Sequence, residues 1–238
     1  MDQQPPPSDI FARHIIRKMW WESIVFGLLL FSAFVILTSV LDGGLHLLTI
    51  SKALAGASAL LIGSSFALSG FCYYFDFLDT KIAYRKYLGL VGYYFALLYS
   101  VSLLAIDPDR YFYGFFENFL SADILLGLIS MTFLTYMALI SKVSIMKKMG
   151  PHRWRVALRL GYVAWVLLVV RAYILERYLW TAWLSTWNGF PPPRLLLSLF
   201  VVAVIFFRIS ISVSKYVRRS RAAKPVDAAP DQSHTLTS

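Results

Sequence analysis

The chain has 238 residues, of which 58% are hydrophobic and only 15% charged, with a mean hydropathy of +0.61 and a formal charge of +10. Soluble domains carry about 45–50% apolar and about 25% charged residues, so this balance belongs to a membrane protein and not to a soluble enzyme. A single cysteine, Cys72, excludes an intramolecular disulfide, a CxxC redox pair and a thiolate cluster for zinc or iron–sulfur.

Residues 1–12 open polar and proline-rich, with Pro5, Pro6 and Pro7, and read as unstructured. Apolar runs of the roughly 20 residues that cross a bilayer core then recur six times, at 19–40, 53–75, 87–105, 119–141, 156–175 and 195–214. The expected architecture is an all-α, polytopic, six-transmembrane-helix bundle. Residues 1–18 form an N-terminal segment, 19–214 the membrane domain, and 215–238 a basic and then disordered tail. The first run is too long for a signal-peptide core and lacks a small-x-small cleavage site after it, so it is expected to stay as an anchor. Span two places Ala55, Ala59, Gly63 and Ala67 at four-residue intervals. Such a stripe lets a helix approach its neighbours closely, either inside the bundle or at a dimer face. Trp20 and Trp21 mark one membrane interface, and Tyr173, Tyr178, Trp180, Trp183 and Trp187 crowd the other. Residues 176–190 read as an interfacial amphipathic segment, and prolines 191–193 as a rigid entry to the last span.

The positive charge is unevenly distributed. Arg13, Arg17 and Lys18 precede span one; Lys81, Arg85 and Lys86 lie between spans two and three. Lys142, Lys147, Lys148, Arg153 and Arg155 lie between four and five, and Lys215, Arg218, Arg219, Arg221 and Lys224 follow six. The alternate loops carry only Lys52, Arg110 amid Asp107, Asp109 and Glu117, and then Arg177 and Arg194. By the positive-inside rule both termini are cytoplasmic. The cations are topology determinants that also meet anionic lipid headgroups, and nucleic acid is not an expected partner.

Three segments carry a resemblance. Ile50-Ser51-Lys52-Ala53-Leu54-Ala55 leads into span two. Tyr84-Arg85-Lys86-Tyr87-Leu88-Gly89-Leu90 opens span three, followed by Tyr94-Phe95-Ala96-Leu97-Leu98. Met149-Gly150, Arg153-Trp154 and Tyr162 enter span five, with Gly150 one residue further from Trp154 than the pattern has it. Together, over residues 25–215, they resemble the ferric reductase-like transmembrane domain family. That family includes the haem-binding membrane subunit of the bacterial periplasmic methionine sulfoxide reductase system. The resemblance implies the bacterial cytoplasmic membrane, haem b held by histidine pairs, and transfer of electrons to a separate membrane or periplasmic partner.

Carried over residue by residue, the family's haem ligands fall on Tyr99, Leu158 and Arg171, none of which is histidine. Leucine cannot ligate iron, and arginine is a permanent cation without a free lone pair; tyrosinate can bind ferric haem. No cofactor is therefore expected, with haem b on unconventional ligands as the alternative. At about 1.5 Å per residue, Tyr99, Arg171 and Asp123 reach one level near the outer leaflet. An intramembrane charge needs a partner or a wet cavity, so an Arg171–Asp123 ion pair with the Tyr99 hydroxyl nearby is expected; the alternative is that both charges snorkel separately to the interface. His46 and His152 read as loop or interfacial residues, His14 and His234 as parts of the flanks, and Glu22 as the partner of Lys18. His152 keeps a second reading as an inner haem ligand.

No phosphate loop, nucleophile elbow or HExxH motif is present, and no nucleotide-binding domain follows span six. Catalytic residues are not assignable. Three functions stay open: a haem-less membrane interaction or assembly partner, or one with another small-ligand role; an oxidoreductase subunit that transfers electrons through unconventional ligation; and a small transporter. Missing ligands favour the first. Tyr93, Tyr94, Phe95, Tyr136 and Trp165 offer an aromatic relay to the second, although aromatics in spans usually serve packing. The third lacks broken helices at midplane.

Overall fold

A computed structural model describes residues 7–75 and 81–222, and among these the chain is helical, with no strand. The helices are α1 (Pro7–Asp42), α2 (Leu47–Tyr74), α3 (Tyr84–Ile106), α4 (Phe115–Asn118), α5 (Ala122–Ile140), α6 (Val143–Met149), α7 (Pro151–Ala157), α8 (Leu160–Thr186) and α9 (Pro193–Ala222). Five of them are long and apolar enough to cross a membrane: α1 over His14–Asp42, α2 over Leu47–Cys72, α3, α5, and α9 over Pro193–Ser214. The 27-residue α8 matches them in length, but carries Arg171 near its middle and Glu176 and Arg177 in its second half.

Local chemistry sets the ends. Proline is well suited to the first helical position, where its missing N–H is not needed; Pro7 opens α1, Pro151 α7 and Pro193 α9. The expectation that residues 1–12 are unstructured fails for 7–12, because α1 runs back through them to Pro7. Helix α1 stops before Gly43, whose φ of 73° suits glycine. Asp107 ends α3 because Pro108 follows and disfavours helical backbone before it. The segment from 108 to 121 then turns through a π-helical Asp109–Tyr113 and the short α4. Residues 119–121 thus lie outside the helix predicted to begin at 119. The predicted span five is broken at Leu158–Arg159 and otherwise continues to Thr186, absorbing most of the stretch read as a separate amphipathic segment. The tail from 223 onwards lies outside the described residues.

Helix α2 is the centre of the bundle, packed by α1, α3 and α9, while α5 packs on α8 and α8 on α9. One core joins Ile62, Phe66, Leu134, Trp165, Val201 and Val204; a second joins Leu54, Leu61, Val91 and Phe95. Outward faces are apolar and exposed, as at Leu29, Ile36 and Val40 on α1 and Val202, Phe206 and Ile209 on α9. This pattern suits lipid, which needs no polar covering. The α2–α3 seam is tied by serines: Ser51 and Ser102 hydroxyls lie 2.8 Å apart, Ser58 donates to the Gly92 carbonyl at 2.9 Å, and Ser65 donates to the Arg85 carbonyl at 2.7 Å. Each such bond contributes on average about 0.6 kcal/mol in a membrane.

Candidate ligand cavity and its polar wall

Between α2, α3, α5, α8 and α9 lies a cavity of about 310 Å³. Its floor is Ile62, Leu134, Trp165 and Val201; at the other end it meets Tyr99, Tyr111, Arg171 and Arg194. From Trp165 to Arg171 is six residues of helix, about 9 Å of rise, so the wall changes from apolar to cationic along its length.

Arg171 is 9% exposed and fixed from two sides. Its Nε donates to the main-chain carbonyl of Asp123 at 2.8 Å, and its Nη1 to the Tyr99 hydroxyl at 3.4 Å. Space for it comes from Gly127, one turn beyond Asp123 on α5: a Cβ there would stand 3.2 Å from the Arg171 Nε. Asp123 is 6% exposed and occupies the second position of α5. That is where a helix N-terminus favours a negative charge.

The structure therefore brings Tyr99, Asp123 and Arg171 together, yet with a partnership different from the expected ion pair. The Asp123 carboxylate accepts from Arg110 Nη2 at 2.8 Å, and Arg171 takes the carbonyl of the same residue. Neither charge snorkels separately. The reason is the turn from 107 to 121: the Arg110 amide donates to the Asp107 carboxylate at 3.2 Å, and this local bond helps set the turn that carries the Arg110 side chain back over the start of α5. Sequence reasoning counted Arg110 only as an outer-loop cation. Its one readable signal was a lone arginine among Asp107, Asp109 and Glu117; nothing in the spacing assigned it to Asp123. Gly127 was missed because a glycine in an apolar run reads as packing.

Leu158, the second position implied by the resemblance, lies in the turn between α7 and α8, 13 residues and about 20 Å of helical rise from Arg171. The residues present do not fit bis-histidine haem b: a guanidinium, a leucine in a turn, and a phenol that accepts a hydrogen bond from that guanidinium. Among the described residues, no histidine or cysteine lines the cavity. His14, His46 and His152 are exposed, and His234 lies outside the described residues. Among the described residues, no three His, Cys, Asp or Glu side chains gather into a metal-sized group.

Other singled-out residues have local partners. Glu22 lies 3.8 Å from Lys18 and also accepts from the Tyr84 hydroxyl. Tyr93 donates to Thr135 at 3.2 Å, and Trp165 is buried edge-on against Phe66. A second cavity of about 290 Å³ lies among α1, α2, α8 and the prolines before α9. The two cavities share Ala55, Arg194 and Leu197, and Arg194 is held by Glu176 at 2.9 Å. In comparisons with known proteins, no family model matches the chain and no curated protein is similar to it.

Proposed function

We propose that this chain is a six-span membrane protein with cytoplasmic termini, built on a ferric reductase-like frame and serving as a haem-less binding or assembly component. α8 is the sixth span in this reading. Its one deeply placed cation has hydrogen-bond partners on α3 and α5, which an intramembrane arginine requires. The observation that carries the reading is Arg171 itself. At a position where the resemblance asks for an iron-binding imidazole stands a buried guanidinium, braced by Tyr99 and the Asp123 carbonyl and given room by Gly127. Such a wall repels a metal cation and attracts an anion.

The test is an absorption spectrum of the full chain purified from haem-sufficient cells. A flat Soret region is expected. A stoichiometric Soret band with reducible α/β bands would overturn the reading in favour of electron transfer through unconventional ligands. Orientation is tested separately with reporters fused to each end, and an active periplasmic phosphatase at either terminus contradicts the proposed topology.

A further inference from the structure

The charges around the cavity do not balance. Among the described residues the ion pairs are Lys18–Glu22, Lys52–Asp42, Arg110–Asp123 and Arg194–Glu176. Arg171 is buried and belongs to none of them: the one nearby carboxylate, Asp123, is engaged by Arg110. Its Nη2 has no protein partner among the described residues, while its side chain lines the cavity. A buried cation is costly until an anion meets it. Here the space for an anion exists, with the Tyr99 and Tyr111 side chains beside it.

The rest of the cavity specifies what else the anion carries. Ile62, Leu134, Trp165 and Val201 give a floor without charge, with Trp165 about 9 Å of helical rise from Arg171. A small hydrated anion would leave that floor empty. A volume of about 310 Å³ sits at the lower end of the roughly 300–1,000 Å³ of ligand pockets, enough for one slender chain and too small for a diacyl lipid. We propose that the cavity binds a single-chain anionic amphiphile. Its carboxylate or phosphate head pairs with Arg171, and its alkyl chain runs down to Trp165. The inference deepens the proposed function by naming its ligand class, and rests on that reading of Arg171.

The head is either a fatty carboxylate or a single-chain phosphate, and three probes with one chain length separate the cases: dodecanoate, dodecyl phosphate and dodecanol. The full-length protein in zwitterionic nanodiscs is incubated with each and ejected for native mass spectrometry. One anionic probe is expected per chain, retained about tenfold better than dodecanol, the scale of one charge-assisted contact. In Arg171→Gln both anions should fall to the level of the alcohol. In Ala59→Leu, which narrows the cavity and leaves Arg171 in place, retention of all three should fall. Preference for dodecanoate identifies a fatty-acid site, and preference for dodecyl phosphate a lysophospholipid-type head. Equal retention of acid and alcohol by the unmodified protein overturns the proposal, as does an anion preference that survives Arg171→Gln or retention undiminished in Ala59→Leu. Should Arg171→Gln fail to fold, the unmodified protein and Ala59→Leu still decide. A spectrum of the same preparation separates the two failures. A haem band sinks the haem-less reading, whereas a flat spectrum with no anion preference sinks only the amphiphile.

Discussion

The two halves of α2 use the same small-residue stripe for opposite ends. Around Gly63 the helix is in hard contact: a Cβ there would stand 2.3 Å from Phe200 and 2.4 Å from Trp165, and at Gly70 2.6 Å from Phe207. One turn away, Ala55, Ser58 and Ala59 face the cavity. Small residues draw helices together in membranes because dispersion, and not water exclusion, drives their association. Where aromatic rings fill the resulting space, the product is a core; where nothing fills it, the product is a chamber. The stripe alone does not distinguish these outcomes. What distinguishes them is the residue opposite: Trp165 and Phe200 at one level, Gly127, Ala96 and Ala172 at the other.

The sharpest break in this comparison is one substitution made twice, four residues apart. Gly63→Leu drives a side chain into Phe200 and Trp165, the latter 1% exposed. Overpacking of this kind should cost about 3 kcal/mol, the upper end of the usual range, read as a lowered unfolding midpoint in a denaturing-detergent titration. Ala59→Leu enters open space and should lie within about 1 kcal/mol of the parent or above it, as cavity filling does. Equal damage from the two would mean that the chamber is not there.

The next effect falls on the polar wall. Arg110→Met strips the Asp123 carboxylate, 6% exposed in the parent chain, of its cation partner, which should cost about 1–3 kcal/mol in the same titration. Adding Asp123→Asn removes the stranded charge and should recover most of the loss, less the few tenths that a carboxylate gains at a helix N-terminus. Arg171→Met behaves differently, since its Nε donates to a carbonyl and not to the carboxylate. Its cost should be unchanged by Asp123→Asn. Rescue of Arg171→Met by Asp123→Asn would restore the direct ion pair that the spacing suggested.

That contrast also shows where the sequence was readable. The apolar runs announced the membrane helices, and depth arithmetic along α3, α5 and α8 placed Tyr99, Asp123 and Arg171 at one level, because helical rise is nearly constant and needs no tertiary knowledge. It was blind to who pairs with whom. The carboxylate went to Arg110 through the irregular turn from 107 to 121, whose π-helical backbone has no periodic signature. The start of α1 was hidden by the opposite cause: three successive prolines read as disorder, although the last of them is a helix opener. The cavity was not readable at all, since it is a property of five helices at once.

The smallest predicted effect belongs to the serine on the boundary between the two halves. Ser58 lines the chamber, yet its hydroxyl donates to the Gly92 carbonyl at 2.9 Å across the close α2–α3 seam. At Gly92 the two backbones approach closely, since a Cβ there would lie 3.0 Å from the Ile62 amide nitrogen. Because a helical carbonyl can be satisfied by its own helix, Ser58→Ala leaves no stranded acceptor and should cost only about 0.6 kcal/mol. The same variant replaces a hydroxyl with a methyl on the chamber wall, so retention of dodecanoate should hold or improve. A fall in retention at Ser58→Ala, with stability little changed, would mean that the head group reaches past Arg171 to this hydroxyl, and that the polar end of the chamber extends further down α2 than the guanidinium marks it.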